Sequence, residues 1–271
     1  WGPARSLPRP LIELVSTPSF GNVRAIYLDL DDTLCAYWDA SKFALRQAFE
    51  THPVDGQTSE EMVRHWAAAF REFSPTIKGT PVYEEYLTSG ESTRTEQMRR
   101  TLARAGVESD DHARNLSYAY MTGRDNALSL FPEARVFLEA VHGKYPLGLI
   151  TNGPADIQRQ EINTLGIGHF FDHVFIEGEM REGKPLQSVF RRAEAAVGMP
   201  PAEILFVGNS YGHDIAPAII AGWHTAWVRR PSDVAPSATP QRGQPEALPD
   251  GATPPDVEIA SLDELLPLLG L

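Results

Sequence analysis

The sequence predicts an α/β fold: a Rossmann-like parallel sheet covered by helices on both faces, with an all-helical body inserted into it. Three observations predict it. Ala25 to Leu30 reads AIYLDL, five apolar residues in six, the pattern of a strand buried on both faces. From Asp39 to Gly123 the apolar spacing turns helical, with no convincing strand. After Gly123 short apolar runs alternate with helix-length segments, which implies right-handed crossovers between parallel strands.

The elements follow in order. Residues 1–22 are rich in Pro and Ser and read as an irregular lead-in. The first strand starts near Ala25 and ends at Asp29. Thr58 with Glu61 makes a capping box ahead of MVRHWAAAF, and Thr80 with Pro81 suits the start of the next helix. Thr93 with Glu96 makes a second capping box for a helix that Gly106 ends, and Ser109 caps one that stops near Gly123. These signals place the helical insertion at 39–123 and leave 23–38 with 124–271 as the α/β core. In the core, helices are expected at Pro132–Val141, Ala155–Leu165, Leu186–Val197, Ile215–Ala221 and Leu262–Leu269. Strands are expected at Pro146–Thr151, His173–Ile176, Ile204–Val207, Thr225–Val228 and Val257–Ile259. The segment 231–256 is rich in Pro, Ala and Gly and reads as a loose excursion.

Composition excludes several classes. The chain has 271 residues, 42% of them hydrophobic, enough for a proper core, and a net charge of −12 with no basic tract. That charge argues against nucleic acid and against an anionic membrane surface as partners. No apolar run approaches the ~18 residues of a membrane span. Cys35 is the single cysteine, so no intramolecular disulfide forms, and the expected compartment is a reducing cytoplasm.

Polar clusters collect at the carboxyl ends of the expected strands, where open parallel sheets bind ligands. Asp29 and Asp31 point the same way on an extended segment, roughly 6 to 7 Å apart, while Leu30 points into the core. Two such carboxylates repel. A divalent cation relieves the repulsion, or one of them holds a proton at neutral pH. Thr151, Asn152 and Gly153 end the second strand, Lys184 lies in a Gly-Lys-Pro loop, and Gly208, Asn209 and Ser210 follow the fourth, with Asp214 five residues after Asn209. Each of these is a common turn sequence by itself. All of them at one sheet edge, in this order, are poorly explained by coincidence.

With these residues in view, the chain resembles the haloacid dehalogenase superfamily over nearly its whole length. Its four motifs appear as Asp29-Leu30-Asp31-Asp32-Thr33, Thr151-Asn152-Gly153, Gly183-Lys184-Pro185, and Gly208-Asn209-Ser210 through Asp214. The helical insertion resembles the cap of the subfamily that includes phosphoglycolate phosphatases, sugar phosphatases and some nucleotidases. The resemblance implies a hydrolase of small phosphomonoesters in which Asp29 attacks phosphorus and forms an aspartyl-phosphate. Asp31 then acts as acid and base, and Thr151 and Lys184 hold and neutralise the transferring group. It implies substrate contacts at Leu30, Asn152 and Gly153. It also implies Mg²⁺ held by Asp29, Asp31, Asn209 and Asp214, an oxygen-only donor set. A small phosphorylated metabolite is the implied partner, and the protein is expected to be a monomer or homodimer.

One residue departs from the pattern. The fourth motif usually carries an acid where this chain has Asn209, so weaker metal binding is expected. The alternatives are a phosphoryl-transferring mutase of the same fold and a catalytically weak binding protein. Asp31 argues for phosphorus over carbon–halogen chemistry, because dehalogenases of this fold lack the second acid. Arg94, Arg99, Arg100 and Arg104 lie on one helix of the insertion and suit either a solvated face or a second anionic group on the substrate. Tyr37 and Trp38 suit a pocket wall or a packed hinge.

Overall fold

β1 (Ala25–Leu28) is buried along its whole length and occupies the middle of a six-stranded parallel sheet in this computed structural model, which describes residues 20–239 and 246–271. On one side β1 pairs with β2 (Leu147–Thr151), which pairs with β3 (His173–Ile176); on the other it pairs with β4 (Ile204–Gly208), followed by β5 (His224–Val228) and β6 (Val257–Ile259). The order β3-β2-β1-β4-β5-β6 reverses direction at β1. Chain leaving β1 and its neighbours therefore opens a crevice at their carboxyl ends. The register sets Leu28 beside both Leu149 and Val207, which brings the residues after β1, β2 and β4 to one edge.

Alternation along the strands divides the core into two layers. Ile26, Leu28, Leu149 and Val207 face a layer with Phe137 and Leu138 of α6 (Pro132–Val141). Ala25, Tyr27, Ile150 and Phe206 face the other, with Phe190 of α9 (Gln187–Val197) and Trp223. Tyr27 lies across β2, and a Cβ on Gly148 would stand 2.0 Å from its ring. Glycine there makes room for the aromatic. The remaining core helices are α7 (Ala155–Leu165), α8 (Glu177–Met180), α10 (Ala216–Ala221) and α11 (Leu265–Leu268).

Between β1 and α6 run five helices: α1 (Tyr37–Thr51), α2 (Ser59–Ile77), α3 (Pro81–Thr88), α4 (Glu91–Arg104) and α5 (Asp110–Ala127). They share their own apolar cluster, including Leu45, Phe49, Trp66, Met98, Leu102 and Leu116. The helices reach slightly beyond the expected 39–123. Gly123 does not stop α5. It lies inside the helix where α1 approaches, and a Cβ there would meet Gln47 Oε1 at 2.8 Å and Ala44 Cβ at 3.3 Å.

The expected cap at Thr58 is present, with Glu61 N–H donating to Thr58 Oγ1 at 3.2 Å and Thr58 N–H to Glu61 Oε2 at 2.8 Å. The cap expected at Thr93 is not. α4 begins at Glu91, and its entrance is held from the core: Asp156 accepts from Ser89 Oγ at 2.9 Å and from Gly90 N–H at 3.2 Å. Glu96 instead pairs with Arg99 and Arg100. The expected helix at Ile215 is preceded by a π-helical turn, Tyr211–Ile215. Most of the lead-in, residues 1–19, lies outside the described residues, as do 240–245 of the Pro-rich excursion. The described part of that excursion contains no helix or strand, and Ser237 C=O accepts from Arg71 of α2 at 2.9 Å.

Candidate active site

Asp29 follows β1 directly, and its N–H still donates to Val207 C=O at 3.0 Å. The chain then turns tightly. Leu30 buries its side chain completely in the core, and its carbonyl accepts from Leu34 N–H at 2.9 Å. Asp32 adopts the left-handed conformation, φ 58°, with its carboxylate accepting from Trp38 N–H at 3.1 Å. This turn leaves the Asp29 and Asp31 side chains on the cavity side.

Asp29 is held at both oxygens: Oδ1 accepts from Lys184 Nζ at 2.6 Å and Oδ2 from Thr33 Oγ1 at 2.9 Å. Lys184 is buried and also donates to Asp214 Oδ1 at 2.7 Å. The other Asp214 oxygen accepts from Ser210 N–H at 2.9 Å. A Cβ on Gly208 would stand 2.4 Å from that carboxylate, so glycine is what lets Asp214 fold back over the end of β4. Burial works against the Lys184 cation, but Asp214 and Asp29 together hold its pKa above the ordinary lysine value. Burial pushes Asp29 up to about 6 against the pull of Lys184. Asp31 also rises to about 6, through burial and then the charge of Asp29. Lys184 and Thr33 favour the Asp29 anion, Gln158 and Arg124 favour the Asp31 anion, and the two carboxyl groups titrate as a pair.

The residues expected to touch substrate have prior partners. Thr151 Oγ1 donates to Gln158 Oε1 at 2.5 Å, and Gln158 Nε2 donates to Asp31 Oδ2 at 3.3 Å and to Glu161 Oε2 at 2.9 Å. Asn152 brackets the lysine loop, donating to Lys184 C=O at 2.7 Å and accepting from Lys184 N–H at 2.8 Å. Gly153 N–H donates to Glu177 Oε2 at 3.0 Å, and the other Glu177 oxygen accepts from Tyr83 Oη of α3. Asn152 thus positions Lys184, and the Gly153 amide is engaged by Glu177.

The donor set for a cation is hard. Thr33 Oγ1 meets both Asp29 Oδ2 and Asn209 Oδ1, the latter at 3.4 Å, so those two oxygens share one corner of the site. Asn209 Nδ2 donates to Asp233 Oδ2 at 2.9 Å, which fixes the amide with its oxygen inward. These are oxygen ligands only, which fits Mg²⁺. Among the described residues no three acids or histidines group as a metal cage. Both Asp214 oxygens are occupied by Lys184 and Ser210, so its place here is as the second counter-charge of the lysine rather than an open ligand.

Asp233, Gln158, Glu161, Glu177 and Arg124 were not singled out from sequence. Arg124 is buried beside Asp125 at 2.9 Å and Glu161 at 3.7 Å and lies over the Tyr37 ring. Above the carboxylates lies a cavity of about 460 Å³, roofed by Trp66, Phe70 and Phe73 of α2, with Tyr37 and Trp38 in its wall. The four arginines of α4 divide. Arg99 pairs with Asp110 at 2.7 Å, Arg100 with Glu96 at 2.7 Å and Arg104 with Glu72 at 2.9 Å, whereas Arg94 alone of the four lines the cavity.

Known proteins resemble this chain over most of its length. A family described as a hydrolase, haloacid dehalogenase-like hydrolase, matches residues 23–222. A phosphoserine phosphatase of Thermus thermophilus is 33% identical over 238 residues, covering 80% of this chain and 94% of that protein. The 5-amino-6-(5-phospho-D-ribitylamino)uracil phosphatase YigB of Escherichia coli is 25% identical over 261 residues, 92% of this chain and 97% of its own. Among solved structures, the magnesium-bound HAD-hydrolase YfnB of Bacillus subtilis superposes with a TM-score of 0.66 at 21% identity, covering 92% of this chain and 99% of that one.

Proposed function

The chain belongs to the haloacid dehalogenase-like hydrolase family and is a phosphatase, and from that premise we propose that it hydrolyses small phosphomonoesters through an aspartyl-phosphate on Asp29, with Mg²⁺ as cofactor. The observation that carries the reading is the Asp29 carboxylate, fixed between Lys184 and Thr33 on the cavity floor, with Asp31 beside it.

In the first half-reaction an Asp29 oxygen attacks phosphorus. The bond to the substrate oxygen breaks, its electron pair stays on the leaving oxygen, and Asp31 supplies the proton that makes it an alcohol. Asp31, pushed up to about 6, can carry a proton near neutral pH, while Lys184 and Thr33 stabilise the charged form of Asp29 that attacks. In the second half, water attacks phosphorus and loses a proton to Asp31. The acyl phosphate bond breaks, releasing inorganic phosphate and restoring both carboxyl groups. Gln158 joins Thr151 to Asp31, so the orientation of the acid depends on the residue ending β2. Lys184 neutralises charge on Asp29 and on the phosphoryl oxygens. Asp29, the Asp31 carbonyl and Asn209 would hold Mg²⁺, which supplies further neutralisation of the phosphoryl group. The helical body covers the cavity with Trp66, Phe70 and Phe73, which limits the access of water.

Phosphate release from p-nitrophenyl phosphate, measured with and without Mg²⁺, tests the reading. Metal-dependent release, with a phosphoryl group trapped on Asp29 by rapid acid quench and located by peptide mass spectrometry, is the expected result. Release with no trapped phosphoryl group at any quench time, from an Asp29→Asn variant as active as the wild type, overturns the covalent route.

A further inference from the structure

Two side chains on α4 that line the cavity holding Asp29 each keep one buried polar atom without a partner. Arg94 and Gln97 are three residues apart, hence on one face of the helix, and both line that cavity. Arg94 Nε donates to Ser117 Oγ at 3.2 Å and Nη2 to the Met121 thioether at 3.4 Å, a weak acceptor, while Nη1 is buried with no partner. Among the described residues no carboxylate lies within ion-pair distance of it. Burial and the nearby Arg124 charge work against the Arg94 cation, and Asp156, whose charge favours it, is already engaged by Ser89 and Gly90. Gln97 Nε2 donates to Trp66 C=O at 3.0 Å, which fixes the amide and leaves Oε1 buried and unpaired. The surroundings are aromatic, with Trp66, Phe70, Phe73 and Tyr120 in the lining, so neither group is relieved by bulk water.

An orphaned cationic donor calls for an anion, and an orphaned acceptor calls for a donor. The guanidinium carries one positive charge, which a carboxylate balances, and its free Nη1 is the donor that would meet it. A second phosphate dianion would leave a charge uncompensated between aromatic walls. Resting on the phosphatase reading above, we propose that the substrate is a phosphomonoester bearing a carboxylate next to an ammonium or hydroxyl group. Arg94 binds the carboxylate and Gln97 accepts from the neighbouring donor, while the phosphoryl group lies at Asp29.

Matched pairs of phosphomonoesters test this on the wild-type protein. The pairs are O-phosphoserine against O-phosphoethanolamine and 3-phosphoglycerate against glycerol 1-phosphate, with p-nitrophenyl phosphate as the generic substrate. The expected result is a kcat/KM at least ~10²-fold higher for the carboxylated member of at least one pair. That ratio should collapse to within about threefold in Arg94→Met, recover partly in Arg94→Lys, and fall in Gln97→Leu. Arg104→Met, a surface change on the same helix, should leave the ratio as it is. Hydrolysis of p-nitrophenyl phosphate with no preference in either pair overturns the inference and leaves the phosphatase reading standing. So does a preference that Arg94→Met, folded by circular dichroism, does not reduce. If no phosphate is released from anything, the phosphatase reading fails, and calorimetric Kd values for O-phosphoserine and O-phosphoethanolamine decide the inference alone: tighter binding of the former, lost in Arg94→Met, supports it, and equal or absent binding overturns it.

Discussion

The turn after β1 concentrates three acids, and they differ in what they lean on. Asp29 has Lys184 and Thr33, Asp31 has Gln158, and Asp32 has one backbone N–H, from Trp38. Burial therefore pushes Asp32 furthest, up to about 9. A carboxyl group whose native pKa stands above its unfolded value contributes stability that is complete below about pH 4 and is lost as pH rises to about 9. Asp32→Asn removes that titration, keeps an acceptor for Trp38 N–H and tolerates the left-handed backbone. The Tm difference between variant and wild type should grow in the variant's favour from pH 5 to pH 9. A difference that stays flat over this range would mean that Asp32 is ionised in the folded protein.

Asn209 gives the second residue-scale prediction. It offers oxygen without charge, while Asp233 sits one hydrogen bond away on its far side. Asn209→Asp adds ligand charge and should lower the Mg²⁺ needed for half-maximal activity by roughly tenfold, or ~1.4 kcal/mol. Asp233 opposes this, since the new carboxylate would face it without the amide donor between them. In Asn209→Asp with Asp233→Asn the gain should therefore be larger, and a Mg²⁺ titration of the three proteins reads both effects. Equal Mg²⁺ requirements throughout would remove this loop from the metal site. Asp29, Asp31, Lys184 and Asn209 could be read from sequence because each lies in a short polar turn directly after an apolar strand. Asp233 could not, because only the fold brings a residue of the Pro-rich excursion against Asn209. Asp214 was legible as a site residue, but the sequence holds no sign that Lys184 and Ser210 occupy its oxygens.

At the level of elements, the strands were legible because apolar runs in a doubly covered sheet leave little choice of face or register. Helix ends were less so. Thr58 and Glu61 form a local box that needs no other part of the chain, whereas α4 starts where Asp156 of α7 meets Ser89 and Gly90. Gly123 reads as a stop and is instead a contact, since its lack of a side chain lets α1 and α5 approach. Gly148 has the same logic inside the sheet. Its added methyl group would fall 2.0 Å from the ring of Tyr27, which also donates to Ala193 C=O at 2.9 Å and packs on Trp223 with centroids 5.2 Å apart. The ring has nowhere to retreat. Gly148→Ala should cost about 1–3 kcal/mol, the usual range for overpacking, read as a lower denaturant midpoint with an unchanged m-value. Gly148→Ala with Tyr27→Leu should recover part of it. An unaltered midpoint in Gly148→Ala would show that the ring is free to move.

For the whole molecule, the helical body and the sheet are joined at several points around the cavity. Tyr83 reaches Glu177, which holds Gly153, Ser89 and Gly90 meet Asp156, and Arg181 pairs with Glu84 at 3.1 Å. These contacts rim the site without entering the sheet. The apolar clusters support the same division, because the helices pack on Leu45, Trp66 and Leu102 while the sheet packs on Leu28, Leu149 and Phe206. Replacing residues 41–122 by a short Gly/Ser linker should therefore leave a folded α/β core with cooperative thermal unfolding. Asp29, Lys184, Asn152 and Asp214 would keep their mutual hydrogen bonds, none of which involves the deleted residues. The truncated protein would lose the aromatic roof and Arg94, so its cavity would be open to water. Turnover of p-nitrophenyl phosphate, which asks little of the roof, should fall less than turnover of any substrate that the full protein prefers. Comparing the two kcat/KM losses measures what the helical body adds beyond the carboxylates. Equal losses would place the selectivity in the sheet edge, and an unfolded product would show that the two clusters are one cooperative unit.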